Sequence, residues 1–531
     1  MSHFCCDLFN GSTEGKVLDD SSSEKNYKEP CTELPDNPGP VLFIDNCQKV
    51  EQTQMDDDPK TVILEVDDNL ALLRSLPKLP TVTNFIVKHT NHSTKIVSDY
   101  KRALEQAFPN MTAFEVDCCR WDGDLGFDTR HLAQFVPSIA TLRKLENIRI
   151  HASECPSSFV FELPNLHRLT RLLLSAKFHT GLAFGDCPSL KELQLFHNRR
   201  DMTDEVAIDI SLLSKLQKLE IYAAGDVCIW KVQAAPSNRN LRTLVLHKVN
   251  SFDGDLSEVV ALELNRCKGS SRLMDACQES LRELFLGMPV DEESFVIDAT
   301  NLNVLALLDF SSGTGFVKEV IQNERSLEAL LLHGVVFENE GHAFPPIRTR
   351  RLVLSSDSSS PYEFFTSRVA LQGVQCLVLN HCIPSPCALE EAIVLSILQP
   401  MQHTLVLFAT NILIRSLPEM PQLQWLCLPN FSTYKVVLQH LSTRPDAVGF
   451  LKDSVNSGQH LRDEKALFGR YLDREDLYDS AYHFCVQHVP CTTSLPAAFD
   501  FGTSSYASGF YNKRLKINLV TNEKCWAEYY A

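Results

Sequence analysis

The sequence has no apolar run of the roughly 18 residues that a membrane-spanning helix requires. Its first residues, Met-Ser-His-Phe-Cys-Cys-Asp, lack the basic region and apolar stretch of a secretory signal. It contains no contiguous cluster of Lys and Arg, and its net charge is −17. These absences argue against a membrane-bound or secreted protein and against a nucleic-acid partner. They predict a cytoplasmic or nuclear protein.

The signature motifs of common enzymes are also missing. The sequence has no Gly-rich phosphate loop, nucleophile elbow or kinase motif set. We therefore expect a protein that is not an enzyme and that holds no cofactor. The cluster His483, Cys485, His488 and Cys491 offers the soft ligands that zinc prefers, but its spacing does not place them on one helical face, and we assign no metal site. The 18 cysteines are expected to be reduced and buried.

What the sequence does contain is a short signature, leucine-x-x-leucine-x-leucine, that recurs about fifteen times. Successive copies start roughly 18 to 34 residues apart, with a mean of about 24. The seven clean copies are Leu190/Leu193/Leu195, Leu216/Leu219/Ile221, Leu241/Leu244/Leu246, Leu281/Leu284/Leu286, Leu302/Leu305/Leu307, Leu327/Leu330/Leu332 and Leu423/Leu426/Leu428. Two weaker copies keep only the last two anchors, Leu352/Leu354 and Leu405/Leu407.

The signature predicts one short strand in each repeat. Apolar residues at positions i and i+2 of a strand point to the same side and enter the core. The leucine three residues earlier covers the turn into the strand. A single repeat cannot bury this edge, whereas stacked repeats bury it continuously. The sequence therefore predicts a solenoid.

The pattern resembles the leucine-rich-repeat superfamily over about residues 75–432. The resemblance implies an α/β fold, a curved leucine-rich-repeat solenoid (horseshoe) with parallel concave strands and helices or turns on the convex side. In this family an Asn or Cys three positions after the last leucine bonds backbone groups in the turn. Cys119, Asn198, Cys267 and Cys382 match that position.

Composition divides the chain into four segments. We expect residues 1–38 to be a disordered acidic segment, 39–74 an N-terminal cap, 75–432 the solenoid and 433–531 a C-terminal cap or tail. Three helices are expected between the strands, from Ser93 to Ala107, near Phe316 to Ile321, and from Ser385 to Leu398.

The residue between the two strand leucines points away from the core, and it is the best sequence indicator of a binding face. This position is mixed in the first nine repeats, where Glu115, Arg149, Gln194, Glu220 and Glu263 are polar. It is apolar in the later repeats, and flanking positions extend the apolar stripe. The concave-face binding candidates are Leu308, Leu331, Val353, Val378, Val406, Phe408 and Trp425.

An apolar stripe of this kind needs a cover. We expect another protein to bind it, or part of residues 440–531 to pack on the last repeats and cover it. The predicted function is a non-catalytic scaffold for protein–protein interaction.

Two alternatives remain open. The irregular, partly Cys-type repeats resemble those of F-box/leucine-rich-repeat proteins, which implies a substrate receptor of a cullin-type ubiquitin ligase. No F-box is recognisable, because Leu34-Pro35 is followed by Pro38 and Pro40, which no helix could traverse. The second alternative is a repeat protein with a C-terminal zinc or cysteine-based site at His483–Cys491.

Overall fold

The computed structural model describes a defined part of the chain. The described residues are 41–45, 59–65, 78–88, 104–117, 142–154, 159–178, 181–197, 205–223, 229–235, 238–287, 301–308, 326–333, 335, 346–356, 365, 371–381, 388–410, 414–423, 425–429, 436 and 448–452. They form a repeat solenoid of parallel β-strands, and the chain divides into two compact units.

The N-terminal unit contains the described residues between 30 and 280. Its described strands form two parallel sheets. The main sheet consists of β1 (Val41–Asp45), β2 (Thr61–Glu65), β3 (Asn84–Lys88), β4 (Ala113–Asp117), β5 (Asn147–Glu154), β7 (Arg171–Lys177), β9 (Glu192–His197), β11 (Lys218–Ala223), β13 (Thr243–His247) and β15 (Ala261–Asn265), each paired with the next. The second sheet consists of β6 (Phe159–Phe161), β8 (Gly181–Phe184), β10 (Val206–Ile210), β12 (Trp230–Ala234) and β14 (Val249–Asp253).

The second sheet covers the leucine side of the main sheet. In β10 and β12 every other residue is buried, and the residues between them are exposed. The buried Trp230 of β12 packs against Phe178 and His197, which adjoin main-sheet strands, at ring-centroid distances of 5.4 and 5.9 Å. The core of this unit is therefore a layer of leucine and aromatic side chains between two sheets.

A repeating turn leads into the main-sheet strands. The backbone N–H of Leu145 donates to Leu142, that of Leu169 to Leu166 and that of Leu216 to Leu213, at 3.0 to 3.2 Å. The two ends of each turn are buried leucines. The two residues at its tip are exposed in all three turns. The backbone is thus the same from repeat to repeat, while the tips are free to differ.

An asparagine side chain ties two successive turns together. Asn238 is buried, and its Nδ2 donates to the carbonyl oxygens of Leu213 at 3.3 Å and Leu216 at 3.2 Å.

We expect Asn238→Ala to lower the free energy of unfolding by about 1–2 kcal/mol, because two buried carbonyls lose a donor. Chemical denaturation of the full-length protein measures this loss. Asn240→Ala is the matched control, since the exposed side chain of Asn240 donates to the carbonyl oxygen of Ser214. An equal loss in both variants would contradict the expectation.

The C-terminal unit contains the described residues from Leu281 onwards. Its parallel sheet consists of β16 (Glu283–Gly287), β17 (Val304–Leu308), β18 (Ser326–His333), β19 (Ile347–Ser356), β21 (Cys376–His381), β22 (Leu407–Thr410), β23 (Trp425–Pro429) and β24 (Val448–Lys452), each paired with the next. The short β20 (Leu371–Gln372) pairs with the start of β19.

The leucine signature marks the core as expected. All the described side chains of the seven clean copies are at most 4% exposed. Equivalent leucines of neighbouring repeats are register partners, such as Leu219, Leu244 and Leu262 in the N-terminal unit. Cys267 lies three positions after the last leucine of its repeat, and its Sγ donates to the carbonyl oxygen of Leu246 at 3.1 Å. The repeat solenoid is therefore confirmed.

The parallel sheet reaches further than the expected solenoid, 75–432. β1 and β2, inside the segment expected to be a cap, pair in the same register as the later strands. β24 lies beyond residue 432 and pairs with β23.

The segments between main-sheet strands contain less helix than expected. Helix α1 (Ser270–Cys277) lies in the N-terminal unit. Helix α2 (Ala388–Leu398) confirms the helix expected to end at Leu398, and a 3-10 turn follows at Gln399–Met401. Residues 104–107 are helical and form the end of the helix expected from Ser93. The helix expected near Phe316 lies outside the described residues, and between β5 and β15 the second sheet takes the place of helices.

Candidate functional site

The main sheet of the N-terminal unit has a second face, opposite the leucines. We call it the ladder face, and its central row consists of Ile86, Glu115, Arg149, Leu173, Gln194, Glu220, Val245 and Glu263, which are register partners on successive strands. These residues occupy the position between the strand leucines, as expected. The row mixes charged, amide and apolar side chains on a uniform backbone.

Each carboxylate of the central row has a basic partner on the same face. Oε2 of Glu115 lies 3.7 Å from Nη1 of Arg149, and Oε1 of Glu220 lies 2.8 Å from Nζ of Lys218. Oε2 of Glu220 has no hydrogen-bonding partner among the described residues. Because Glu220 is only 2% exposed, its partial pairing is costly, and Lys218 is needed to offset the buried charge.

Aromatic side chains form a second row on the ladder face, two residues further along the strands. The rings of Phe196 and Tyr222 stack with centroids 4.7 Å apart and planes 9° apart. The imidazole of His247 meets the edge of Tyr222 at 4.7 Å, and its Nε2 donates to Oε1 of Glu263 at 2.7 Å. This row joins β9, β11, β13 and β15 through side chains alone. Sequence reasoning missed it because, in these repeats, only the residue between the leucines was considered.

Among the described residues, the ladder face is most open to solvent near β5 and β7. Tyr222 and His247 are 1% and 3% exposed, so the region from β9 to β15 is closed. Towards β5 and β7 the face opens, since Arg149 is partly exposed and the side chain of Arg171 is 49% exposed. Arg171 pairs with Glu192 of the next strand at 3.1 Å. The accessible surface of this face is therefore charged.

The strands of the C-terminal unit contain the residues of the expected apolar stripe at equivalent positions. Ala306, Leu331, Val353 and Val378 are successive register partners on β17, β18, β19 and β21. Leu308 pairs with His333, and Trp425 pairs with Leu407. The side chains of Leu308, Leu331, Val353, Val378 and Trp425 lie outside what the structure describes. Their strand positions agree with one face, and their role in binding stays a prediction.

Two candidates, Val406 and Phe408, do not occupy the expected positions. Phe408 is fully buried and is the register partner of Leu377, a core residue. Thr410 pairs with the core residue Leu379 in the same way. The strand anchors of this repeat are therefore Phe408 and Thr410 instead of Leu405 and Leu407, a shift of three residues, and Leu405 takes the turn position. Val406 precedes the strand and is half-buried, so the outward position belongs to Ala409.

A buried carboxyl group stands at the start of β16. Glu283 is 1% exposed, and its Oε2 has no hydrogen-bonding partner among the described residues. Burial raises the pKa of Glu283 to about 8, although the neighbouring Arg282 acts in the opposite direction. Its register partner on β17 is Val304, which is also buried. The group is therefore protonated in the folded protein at neutral pH.

Four thiols of the described residues lie in the core. Cys187, Cys267, Cys277 and Cys376 are all buried. Burial raises the pKa of Cys187 to about 11 and that of Cys277 to about 12, so both remain protonated. Within the described ranges no three His, Cys, Asp or Glu residues lie close enough to hold a metal ion. The His483–Cys491 cluster lies outside those ranges.

Among the described residues no helix is both long and apolar enough to cross a membrane. The remaining expectations for the ends of the chain also concern undescribed residues. These are the disordered segment 1–38 and the covering tail, apart from β24, which pairs with β23.

No protein-family model matches this chain, and no curated protein is significantly similar to it in sequence.

Proposed function

We propose that this protein is a non-catalytic scaffold of the leucine-rich-repeat type that binds another protein through the ladder face. The observation that carries the proposal is a constant backbone register with a changing set of side chains. Ile148, Leu172 and Leu193 repeat in the core, whereas Asn147, Arg171 and Glu192 differ beside them on the accessible part of this face. Repeat arrays commonly use such a variable surface on an invariant frame to recognise a partner.

The open part of the ladder face is the first place where a partner would bind. Its charged side chains, among them Arg149 and Arg171, are held in place by carboxylates of neighbouring strands. Positioned charges of both signs favour specific recognition of one protein surface and disfavour a wrong one. Next to it, the buried row from Phe196 to Glu263 joins strands β9 to β15 through side-chain contacts.

We expect a photo-cross-linking amino acid at Arg171 to capture a partner that the same amino acid at Lys231 does not. Arg171 is on the ladder face and Lys231 on the outer face of the second sheet. The two sites are matched, because each side chain is about half exposed, at 49% and 52%, and pairs with a glutamate. The measurement uses full-length protein, irradiated in cell extract, with mass spectrometry of the adducts.

The captured protein is then purified and its affinity measured directly. Arg171→Glu should weaken binding by about tenfold, as expected for a charge at the centre of an interface. Lys231→Glu should change it by less than about twofold. Equal adducts at both sites, or equal affinities of both variants, would contradict a ladder-face interface.

The two alternative functions receive no support from the described residues. Residues 41–45 and 61–65, where an F-box would lie, are strands of the main sheet. The zinc or cysteine-based alternative depends on His483–Cys491. The proposed function is therefore the non-catalytic scaffold.

A further inference from the structure

The turns that lead into five successive main-sheet strands form a basic edge. The five residues preceding β5, β7, β9, β11 and β13 are 142–146, 166–170, 187–191, 213–217 and 238–242. Together these 25 residues contain seven Lys or Arg and one acid, Glu146. The seven are Arg143, Lys144, Arg168, Lys191, Lys215, Arg239 and Arg242, and all are exposed. This composition is unusual in a chain whose net charge is −17.

The fold brings these side chains together although they are scattered in sequence. Strands β5, β7, β9, β11 and β13 are parallel, so the residues that precede them lie at the same edge of the sheet. Neighbouring strands are about 4.8 Å apart, and the four steps from β5 to β13 span about 19 Å. The repeating turn buries its two ends and exposes its tip. The charges therefore form one continuous stripe.

Most of these cations have no acidic partner within the described part of the chain. Arg242 pairs with Glu258. Hydrogen bonds from Ser257 lower the pKa of Asp255, and Arg239 lowers it further through its charge. Lys144 donates to the carbonyl of Pro109 and to Oδ1 of Asn110, neither of which is charged. Arg143, Arg168, Lys191 and Lys215 form no ion pair with any described residue. By contrast, nearby Arg171 and Lys218 are matched by Glu192 and Glu220.

We propose that this basic edge docks a carboxylate-rich segment of a partner protein. The inference rests on the proposed scaffold function and names the chemistry of one partner surface. An extended peptide advances about 3.3 Å per residue, so roughly six residues cover the 19 Å edge. A short acidic segment can therefore contact all the cations, and the rest of the partner chain need not follow the edge.

A nucleic acid fits this edge less well than a peptide. Its phosphates continue at a fixed high density beyond the edge, where they meet a chain of net charge −17. The acidic Glu258 ends the stripe in the turn before β15, and Glu146 interrupts it before β5. A stripe bounded in this way matches a limited number of carboxylates better than a long polyanion.

The test measures binding of a fluorescein-labelled decaglutamate peptide to the full-length protein by fluorescence anisotropy. We expect saturable binding at low ionic strength that weakens as salt is added. The double variant Arg168→Glu/Lys215→Glu should weaken it by about tenfold, since each exposed charge contact contributes modestly. The matched control is Lys268→Glu/Arg272→Glu, which changes the net charge equally at exposed positions away from the turn tips. It should weaken binding by less than about twofold.

Three results would overturn the proposal. One is the absence of saturable binding at low ionic strength. The second is equal weakening in both double variants, which would indicate an effect of net charge alone. The third is tighter, Arg168/Lys215-dependent binding of oligothymidylate of the same charge, which would make the edge a nucleic-acid surface. Both double variants retain Arg171, so a failed decaglutamate test leaves the ladder-face cross-linking test unaffected. A failed cross-linking test likewise leaves the decaglutamate test unaffected.

Discussion

Replacing Leu244 by alanine is expected to lower the free energy of unfolding by about 2–5 kcal/mol. The side chain is fully buried, and its register partners on both sides are the core residues Leu219 and Leu262. Removing three carbons from this row leaves a cavity that a stacked array cannot close without shifting several repeats. In a unit of this size the loss corresponds to a fall in melting temperature on the order of 10 °C.

The matched control for this prediction is Leu212→Ala. Leu212 belongs to the same unit, in the turn after β10, and is 68% exposed. The same chemical change there should alter stability by less than about 0.5 kcal/mol. Thermal unfolding of the two variants by circular dichroism separates the outcomes. Similar shifts in both would mean that Leu244 does not occupy the continuous core row.

The leucine spacing was sufficient to predict the solenoid, because a recurring apolar pair at positions i and i+2 is buried most simply by stacking one strand on the next. The same reasoning placed the strand anchors of the repeat at Leu405 three residues too early. Leu405-Val-Leu407-Phe408 offers apolar residues at every position, so either register satisfies the leucine pattern. The structure selects the register in which Phe408 fills the core and Thr410 takes the last anchor.

The second sheet could also have been predicted from the sequence. Val206-Ala-Ile208-Asp-Ile210 and Trp230-Lys-Val232-Gln-Ala234 alternate apolar residues with small or polar ones, which is typical of a strand with one buried face. The expectation of family-like helices on that side obscured the alternation. In these repeats the alternation of buried and exposed residues predicts the structure better than the family resemblance does.

The candidate sites depended on spatial neighbours that a linear sequence does not show. The central ladder row was predictable, since it lies between two leucines. The contact of Tyr222 with His247 was not, because it joins strands 25 residues apart in sequence. The basic edge was hidden for the same reason. Its cations occur once or twice per repeat, so no window of the sequence shows a cluster.

Glu283 illustrates a different limit, because the repeat predicted neither its burial nor its protonation. It occupies the first position of β16, on the face opposite Leu284 and Leu286. In several other repeats a polar residue at this position reaches solvent or a basic partner, as Glu192 does with Arg171. Glu283 has only the exposed Arg282 nearby, and its pKa of about 8 reflects the loss of water.

We expect the stability of wild-type protein, relative to Glu283→Gln, to fall by about 3–4 kcal/mol as the pH rises from 5 to 8. The pKa of Glu283 is raised from 4.5 to about 8 on folding. Between those values the unfolded chain has lost this proton and the folded chain retains it, so rising pH favours unfolding. Above both values the carboxylate is ionised in either state and the loss is complete. The glutamine keeps the shape of the side chain but does not titrate.

The measurement is the unfolding free energy of both proteins across this pH range. Comparing slopes removes any constant cost of burying the glutamine amide, because that cost does not depend on pH. Glu419→Gln is the control, since its carboxyl belongs to the same unit and is exposed, and it should follow the wild-type curve. Parallel wild-type and Glu283→Gln curves would show that the Glu283 carboxyl is ionised in the folded protein. In that case a cation would have to lie close enough to stabilise its charge.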